Sequence, residues 1–219
     1  MQATFDEVLG EGLAAIGVEV DAVGRGRLAV FAERLLRWNA RVNLTAVRDL
    51  ASVAEVHLVD SLGLLRSLGG AKTVLDVGSG AGLPGVVLAC ARPELAVTCC
   101  DSAHKKVAFV KVVSAELGLE VRARAVRAQG DPDAEGLPRC EVVVSRALAE
   151  PARWLPLGAH YLAPGGYLFA MLGREAEAGV LESIGRRAGL GLRGIDRFRL
   201  PRSGALRAVA RFSAGAARG

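Results

Sequence analysis

The chain has 219 residues, of which 51% are hydrophobic and 23% are charged, and its formal net charge at pH 7 is +5. This length allows one sizeable hydrophobic core with at most a small additional lobe. The basic excess lies in residues 141–219, which contain 12 Lys/Arg against 6 Asp/Glu. A polyanionic partner and a solvated, arginine-rich surface are the two interpretations of that asymmetry.

Cysteine spacing and the start of the chain predict a cytoplasmic protein. The four cysteines include no C-x-x-C pair, so we expect free thiols in a reducing compartment and no zinc site. The residues around Phe5 do not form a basic segment followed by an apolar one, so no secretory signal is expected. The weakly polar stretch 154–173 is interrupted by Pro164-Gly165-Gly166, which argues against a membrane span.

Two amphipathic helices are predicted near the start of the chain. Apolar residues recur at helical spacing over residues 5–16 and again over residues 28–42. The segment Gly24-Arg25-Gly26 is expected to separate the two helices.

A third helix should begin near Asp49 and run to about residue 65. Ser52 and Glu55 stand at the spacing of a capping box, which supports a helix start there. His57 and Asp60 are three residues apart and would share one face of this helix. They could orient a substrate or simply hydrogen-bond to each other.

Residues 73–85 predict a buried parallel strand, a glycine-rich turn and the start of a helix. Gly78, Gly80 and Gly82 would allow positive φ angles and the close approach of a ligand. Asp76, at the strand end, suits a cationic ligand such as S-adenosylmethionine and would repel a pyrophosphate. A G-x-G-x-x-G match that starts at Gly80 leaves NAD as an alternative.

Asp101 closes the next predicted strand, residues 96–101, and lies 21 residues after Gly80. That is the spacing of a carboxylate that binds a ribose, and capping of strand ends is the structural alternative for Asp101 and for Asp76. The loop at residues 127–129 follows the third strand. Loops after strands line the ligand crevice of a doubly wound sheet, so this loop should meet the adenine.

Helices and strands alternate along the rest of the chain until two final strands, which should pair antiparallel. The predicted helices are 83–91, 104–117, 151–162 and 175–188, and the predicted strands are 119–126, 141–144, 167–172, 191–199 and 206–212. The expected fold is α/β, with a doubly wound, mostly parallel seven-stranded sheet of the Rossmann-like class I methyltransferase type. We expect residues 1–70 to form a helical extension packed on the core, residues 71–213 the cofactor-binding domain, and residues 214–219 a disordered tail.

Several motifs of this sequence recur together in one bacterial family. They are Trp38-Asn39 with Asn43-Leu44-Thr45, His57-x-x-Asp60-Ser61, the stretch from Asp76 to Gly85, Arg92-Pro93-Glu94, Asp101-Ser102 and Ser145-Arg146-Ala147. On these motifs, which span most of residues 30–172, the chain resembles the ribosomal RNA small subunit methyltransferase G family, also called glucose-inhibited division protein B. The resemblance implies an S-adenosylmethionine-dependent enzyme that methylates N7 of one guanine in 16S ribosomal RNA.

The resemblance also implies a set of cofactor contacts, with Asp101 on the ribose. The other contacts are Gly78, Leu83, Ala128, Gln129 and Arg146. The chain departs from the family pattern at three positions. Gln129 stands where Glu is common, Val56 where Arg often precedes the histidine, and Leu172 where Lys is usual.

The implied reaction requires little acid–base catalysis, because guanine N7 already presents a lone pair at the major-groove edge. No residue is expected to act as general acid or base, and the rate should come from positioning and from excluding water. Arg146, which leaves the fourth strand beside the expected methyl group, is the candidate for positioning. We expect a monomer with neither a metal nor a membrane as partner.

Two other functional classes stay open, an NAD-dependent oxidoreductase and an RNA-binding ribosome-assembly factor with reduced or altered methyltransferase activity. The identity of the bound cofactor would separate the first, and turnover would separate the second. The RNA footprint is expected to include the basic C-terminal segment. Its arginines are Arg186, Arg187, Arg193, Arg197, Arg199, Arg202, Arg207 and Arg211.

Overall fold

The computed structural model describes residues 3–146, 148–173 and 177–214, which fold around one seven-stranded sheet. The strands are β1 (Thr73–Val77), β2 (Ala96–Asp101), β3 (Val121–Ala125), β4 (Cys140–Arg146), β5 (Leu162–Leu172), β6 (Leu190–Arg199) and β7 (Leu206–Ala214). Their order is β3-β2-β1-β4-β5-β7-β6, and β7 is antiparallel to both of its neighbours whereas the other pairs are parallel. This topology confirms the predicted fold class.

Helices precede the sheet and connect its strands. They are α1 (Phe5–Ile16), α2 (Ala22–Asn39), α3 (Leu50–Val53), α4 (Asp60–Leu62), α5 (Leu65–Leu68), α6 (Gly85–Ala91), α7 (His104–Glu116), α8 (Pro132–Glu135), α9 (Pro151–Ala159) and α10 (Ala178–Arg187). A π-helical segment, Ala54–Val59, joins α3 to α4. Among the described residues, no helix is both long enough and apolar enough to cross a membrane.

The central strands are buried on both faces, which explains their nearly continuous apolar sequences. Val142 and Val144 of β4 face a core that α1, α2, α6 and α7 also line, whereas Val143 faces a second core with α9 and α10. The helices before β1 therefore share a hydrophobic core with one face of the sheet.

The second helix begins earlier than predicted. Asp21 is its N-cap and accepts a hydrogen bond from the amide of Gly24 at 2.6 Å, so Gly24 lies inside α2 and does not separate it from α1. A Cβ at Gly24 would lie 3.1 Å from the carbonyl oxygen of Cys90 in α6. The glycine there permits close helix packing, and the helix ends at Asn39, before the predicted residue 42.

The predicted capping box at Ser52 and Glu55 is wrong, although the predicted start near Asp49 is correct. Asp49 is the N-cap and accepts from the amide of Ser52 at 2.8 Å. Glu55 instead accepts the backbone amides of Arg202 at 2.7 Å and Ser203 at 2.9 Å, in the turn between β6 and β7. This carboxylate fastens the π-helical segment to the C-terminal hairpin.

The fifth strand is longer than predicted. Helix α9 ends at Ala159, and β5 begins at Leu162 and continues through Pro164-Gly165-Gly166, which the sequence predicted to be a turn. The pairing with β4 shifts register between Cys140 and Val142, and this irregularity accommodates the proline and glycines. Residues 175 and 176 of the predicted helix 175–188 and residues 215–219 of the predicted tail lie outside the described residues, whereas Ala214 of that tail belongs to β7.

Candidate active site

The carboxyl ends of β1, β4 and β5 border a cavity of about 510 Å³. The glycine-rich turn after β1 forms one wall, and the opposite wall comes from the π-helical segment, α4 and the first residues of β7. Its polar lining includes Thr45, His57, Asp60, Lys106, Arg146 and Arg207. Residues from both ends of the chain therefore meet at the edge of the sheet where ligands bind in open α/β folds.

The turn after β1 leaves room for a ligand beside its backbone. Gly78, Gly80 and Gly82 have φ angles of 70°, 57° and 81°, in the left-handed region that favours glycine. A Cβ built at Gly80 would meet no heavy atom within 4 Å, so that position faces open space. Leu83 follows the turn, and it lines the same cavity while only 6% exposed.

Asp76 is fully buried at the end of β1. Its Oδ2 accepts the amide of Gly85 at 2.8 Å, whereas Oδ1 has no hydrogen-bond partner in the described part of the chain. Burial raises the pKa of Asp76 to about 7, and the Gly85 hydrogen bond opposes that rise. An unpartnered carboxylate oxygen at this depth has capacity for one more donor.

Asp101 fixes the glycine-rich turn from the neighbouring strand. Its Oδ2 accepts the amide of Gly80 at 3.0 Å, its Oδ1 accepts the amide of Ala103 at 2.8 Å, and Lys106 Nζ lies 3.7 Å from Oδ2. Both carboxylate oxygens retain lone pairs for a ligand. Asp101 is thus a structural cap of the turn, and its role as the ribose carboxylate stays a prediction.

Arg146 joins the end of β4 to the helical region before β1. Its Nη1 donates to Asp60 Oδ2 at 3.0 Å and to the carbonyl oxygen of Val56 at 3.2 Å, and its Nη2 lies 3.2 Å from His57 Nδ1. His57 and Asp60 share a face as predicted, but in the described structure they meet through Arg146 and have no hydrogen bond to each other. The guanidinium side chain is 17% exposed and borders the cavity.

His57 is held as a neutral imidazole. Burial, together with the positive charge of Arg146, lowers the pKa of His57 to about 4. A guanidinium has only donors, so its approach to Nδ1 requires an unprotonated nitrogen there. The proton then resides on Nε2, which lies 2.6 Å from Thr45 Oγ1. Nδ1 is also 3.2 Å from the Val56 carbonyl oxygen, but that oxygen already accepts from Arg146.

The loop that carries Thr45 is organised by Asn39, the last residue of α2. Asn39 Oδ1 accepts the amides of Leu44 and Thr45 at 2.8 Å and 3.0 Å, and its Nδ2 donates to the carbonyl oxygen of Thr45 at 2.8 Å. Both Asn39 and Thr45 belong to the motif that carries the family resemblance. Their contacts show that this motif positions the wall of the cavity that contains His57.

Arg207 lines the cavity, and local sequence patterns did not predict this position for it. Its Nε lies 3.2 Å from Asp60 Oδ1, an ion-pair distance, in an orientation that makes no hydrogen bond. Asp60 is therefore shared by Arg207 and Arg146. The basic C-terminal segment includes this arginine, but no pattern within β7 places it at the cavity, because its partner Asp60 lies far away in the sequence.

The loop with Ala128 and Gln129 lies beyond Asp101 and does not line this cavity. The amide of Val126 donates to the carbonyl oxygen of Asp101 at 3.1 Å, which places the start of the loop beside that residue. The amide of Gln129 donates to Glu135 Oε1 at 2.7 Å. The other predicted contacts, Asp76, Gly78, Gly80, Gly82, Leu83, Asp101 and Arg146, lie together around the turn after β1. Within the described ranges, no group of three or more His, Cys, Asp or Glu residues could hold a metal ion.

Solved structures share this architecture. An S-adenosylmethionine-dependent methyltransferase from Aquifex aeolicus matches with a TM-score of 0.55 and 20% identity, over 74% of this chain and 92% of that one. A methyltransferase from Burkholderia thailandensis, solved with 1,6-didemethyltoxoflavin and S-adenosylhomocysteine, matches with a TM-score of 0.58 and 15% identity, over 90% of this chain and 93% of that one. The [4+2]-cyclase SpnF matches with a TM-score of 0.59 and 17% identity, over 88% of this chain and 96% of that one. The fold is therefore that of the Rossmann-like methyltransferase class, which also includes other activities.

Sequence comparison resolves the family within that class. The family described as rRNA small subunit methyltransferase G (GidB) matches residues 26–186. A protein named ribosomal RNA small subunit methyltransferase G from Anaeromyxobacter dehalogenans strain 2CP-1 is 60% identical, over 97% of this chain and 99% of its own length. The protein of that name from Myxococcus xanthus is 44% identical, over 96% and 98%. The chain belongs to the rRNA small subunit methyltransferase G family.

Proposed function

We propose that the protein transfers the methyl group of S-adenosylmethionine to N7 of a guanine in 16S ribosomal RNA. The observation that carries the proposal is the open glycine turn, held by Asp101 at Gly80 and followed by Gly85, which Asp76 holds, along a cavity whose lining includes Arg146 and Arg207. Family membership supports both the reaction and the RNA substrate. An enzyme of this kind would act in the cytoplasm.

The residues present fit the proposed cofactor. Asp76 Oδ1 is buried without a partner among the described residues and would receive the ammonium group, and Gly80 offers open space beside its backbone. Asp101 would accept the ribose hydroxyls while it continues to hold the Gly80 amide. A pyrophosphate in place of the cationic group would bring like charges together at Asp76, which disfavours a dinucleotide.

The chain's own residues would act by binding and orienting. S-adenosylmethionine, when bound, supplies an activated methyl group that the guanine N7 lone pair can accept without prior deprotonation. Arg146 and Arg207 would orient the guanine or an adjacent phosphate, since guanidinium donors match both. His57 is neutral at pH 7 and fixes Arg146 instead of moving a proton. Holding the reacting groups in line can lower the free-energy barrier of the reaction by on the order of 7–11 kcal/mol.

Transfer of tritium from labelled S-adenosylmethionine to small-subunit RNA, followed by nucleoside analysis, tests the proposal. Both naked 16S RNA and assembled small subunits should be offered as substrates. Label in 7-methylguanosine is the expected result. RNA binding without label in any nucleoside would favour an assembly factor, and retention of NAD in place of S-adenosylmethionine would favour an oxidoreductase.

A further inference from the structure

Two side chains hold the loop between β3 and α8, residues 126–131, in place. Glu135 Oε1 accepts the amides of Gln129 at 2.7 Å and Asp131 at 3.2 Å. The amide of Gly130 donates to Tyr161 Oη at 2.8 Å, and the same hydroxyl donates to Glu135 Oε2 at 2.5 Å. Three consecutive backbone amides of the loop therefore close around one linked carboxylate and hydroxyl.

This arrangement is anchored in the core. Tyr161, between α9 and β5, is fully buried, and burial together with the Glu135 hydrogen bond raises the pKa of its hydroxyl, so the group stays a donor. A Cβ at Gly130 would lie 3.1 Å from His160, which limits how the loop can shift toward α9. Movement of the loop would break its three hydrogen bonds to these side chains, two of which have the Glu135 carboxyl group as acceptor.

Two amides of the loop have no acceptor within the described part of the chain. Of the amides of residues 126–131, these are the amides of Arg127 and Ala128, and Ala128 is the one that the family resemblance places at the cofactor. The loop starts beside Asp101, where the proposed function places the cofactor ribose, so the adenine would lie on the loop side. Adenine N1 is an acceptor and needs one donor, whereas N1 of hypoxanthine carries a hydrogen.

We propose that Glu135 and Tyr161 are positioning residues that hold the loop at residues 126–131 so that one backbone donor meets the adenine ring of the cofactor. The inference rests on the proposed function and adds the residues that give the site its preference for adenine. Neither side chain lines the cavity, so each acts through the loop backbone.

The test uses calorimetry on the full-length protein with S-adenosylhomocysteine and with its analogue in which hypoxanthine replaces adenine. Tyr161→Phe and Glu135→Ala should raise the dissociation constant for S-adenosylhomocysteine by roughly threefold and about tenfold, from the loss of two and three hydrogen bonds. Both should reduce the discrimination between the two compounds. Glu135→Gln keeps one acceptor oxygen for the amides and should restore most of the affinity. Turnover at saturating cofactor should stay within about twofold of wild type, because the loop does not contact the methyl group.

Thr73→Val is the matched control. The Thr73 hydroxyl accepts the amide of Glu141 at 2.9 Å. Thr73 lies at the amino end of β1, away from the loop, so the variant removes a hydroxyl hydrogen bond without touching the loop. Unchanged affinity and discrimination in folded Tyr161→Phe and Glu135→Ala would overturn the inference, as would equal losses in Thr73→Val. If Glu135→Ala fails to fold, Tyr161→Phe still decides, because it removes a single oxygen. Wild-type protein that binds neither compound would instead overturn the proposed function.

Discussion

Arg146 at the end of β4 donates a hydrogen bond to Asp60 of α4 across 3.0 Å. Asp60 also pairs with Arg207, so one carboxylate, with its side chain 10% exposed, serves two guanidinium groups. Loss of either arginine leaves Asp60 with a partner, whereas loss of Asp60 would leave two partly buried cations without theirs. Arg146 can therefore be tested by substitution with less risk to the fold than Asp60.

Arg146→Ala should lower methyl transfer by about a hundredfold, because small errors in placing reacting groups have effects of that order. The pH dependence of turnover above pH 7 should not change, since an arginine cannot act as a base. Arg146→Lys should rescue poorly, because an ammonium group cannot contact Asp60, Val56 and His57 at once. Arg139→Ala, which removes an exposed partner of Asp133, is the control. Near-wild-type rates in Arg146→Ala would show that the arginine serves only to cap β4.

Asp101→Ala should weaken binding of S-adenosylmethionine by about tenfold to a hundredfold, because hydrogen bonds to a charged acceptor contribute roughly 1.5–3 kcal/mol. Part of that loss would come from release of the Gly80 amide. Asp101→Asn keeps one acceptor oxygen and should show a smaller loss. Calorimetry on protein whose fold is verified by circular dichroism gives the answer, and unchanged affinity would reject Asp101 as a ribose ligand.

Cofactor affinity should depend on pH through Asp76. In the free protein the raised pKa, about 7, keeps this carboxyl protonated at lower pH, whereas a bound ammonium group requires the carboxylate. Affinity should therefore fall by up to about tenfold per pH unit below pH 7. Titration by calorimetry between pH 5.5 and pH 8.5 measures the slope. Asp76→Asn should bind weakly with a flat profile, and a flat wild-type profile would contradict the assignment.

His57 should make the fold less stable in acid. Its pKa of about 4 lies below the ordinary value of 6.5, so the unfolded chain takes up a proton that the folded protein excludes. This contribution, roughly 3 kcal/mol, is present above pH 6.5 and is lost as the pH falls toward 4. Urea unfolding at both ends of that range should show a smaller acid loss for His57→Gln than for wild type. His104→Gln, at an exposed histidine, is the control, and equal losses in wild type and His57→Gln would refute the prediction.

The basic C-terminal segment should divide into two parts in RNA binding. The pairing of Arg199 with Leu206, and of Leu172 with Ala208, places the end of β6 near the cavity, whereas Arg186 and Arg187 are exposed at the far end of α10. Charge removal at Arg197 and Arg199 should weaken RNA binding and reduce the slope of affinity against salt by about one for each phosphate that these arginines neutralise. Filter binding across salt concentrations should show no such change for Arg186→Gln with Arg187→Gln. Equal effects of the two double substitutions would show that the whole basic C-terminal segment contributes to RNA binding.

The elements that the sequence predicted well are those with strong local causes. Continuous apolar residues define the parallel strands, and Gly78, Gly80 and Gly82 mark the turn that all later site residues surround. The early start of α2 was missed because Gly24 looks like a separator, yet it is required by close approach to the backbone of Cys90. Local propensity does not include such tertiary contacts.

The candidate site was predicted in part for the same reason. Asp76 and Asp101 follow strands directly, so their neighbourhood can be deduced from the topology. The partners of Asp60 cannot be deduced in this way, because Arg146 and Arg207 come from strands that only the folded sheet brings to the same edge. The role of Glu55 was mistaken because its partners, two backbone amides of a distant turn, leave no side-chain pattern.

The hydrogen bonds between Glu55 and the turn after β6 have a consequence for biosynthesis. The helical wall of the cavity is translated early, but its fastening at Arg202 and Ser203 and its second arginine in β7 are translated last. A nascent chain that has reached only β5 contains the glycine turn, Asp76 and Asp101, but it lacks Arg207 and the turn at Arg202 and Ser203 that Glu55 fastens to this wall. The proposed site can therefore be complete only after the C-terminal hairpin has been synthesised and folded.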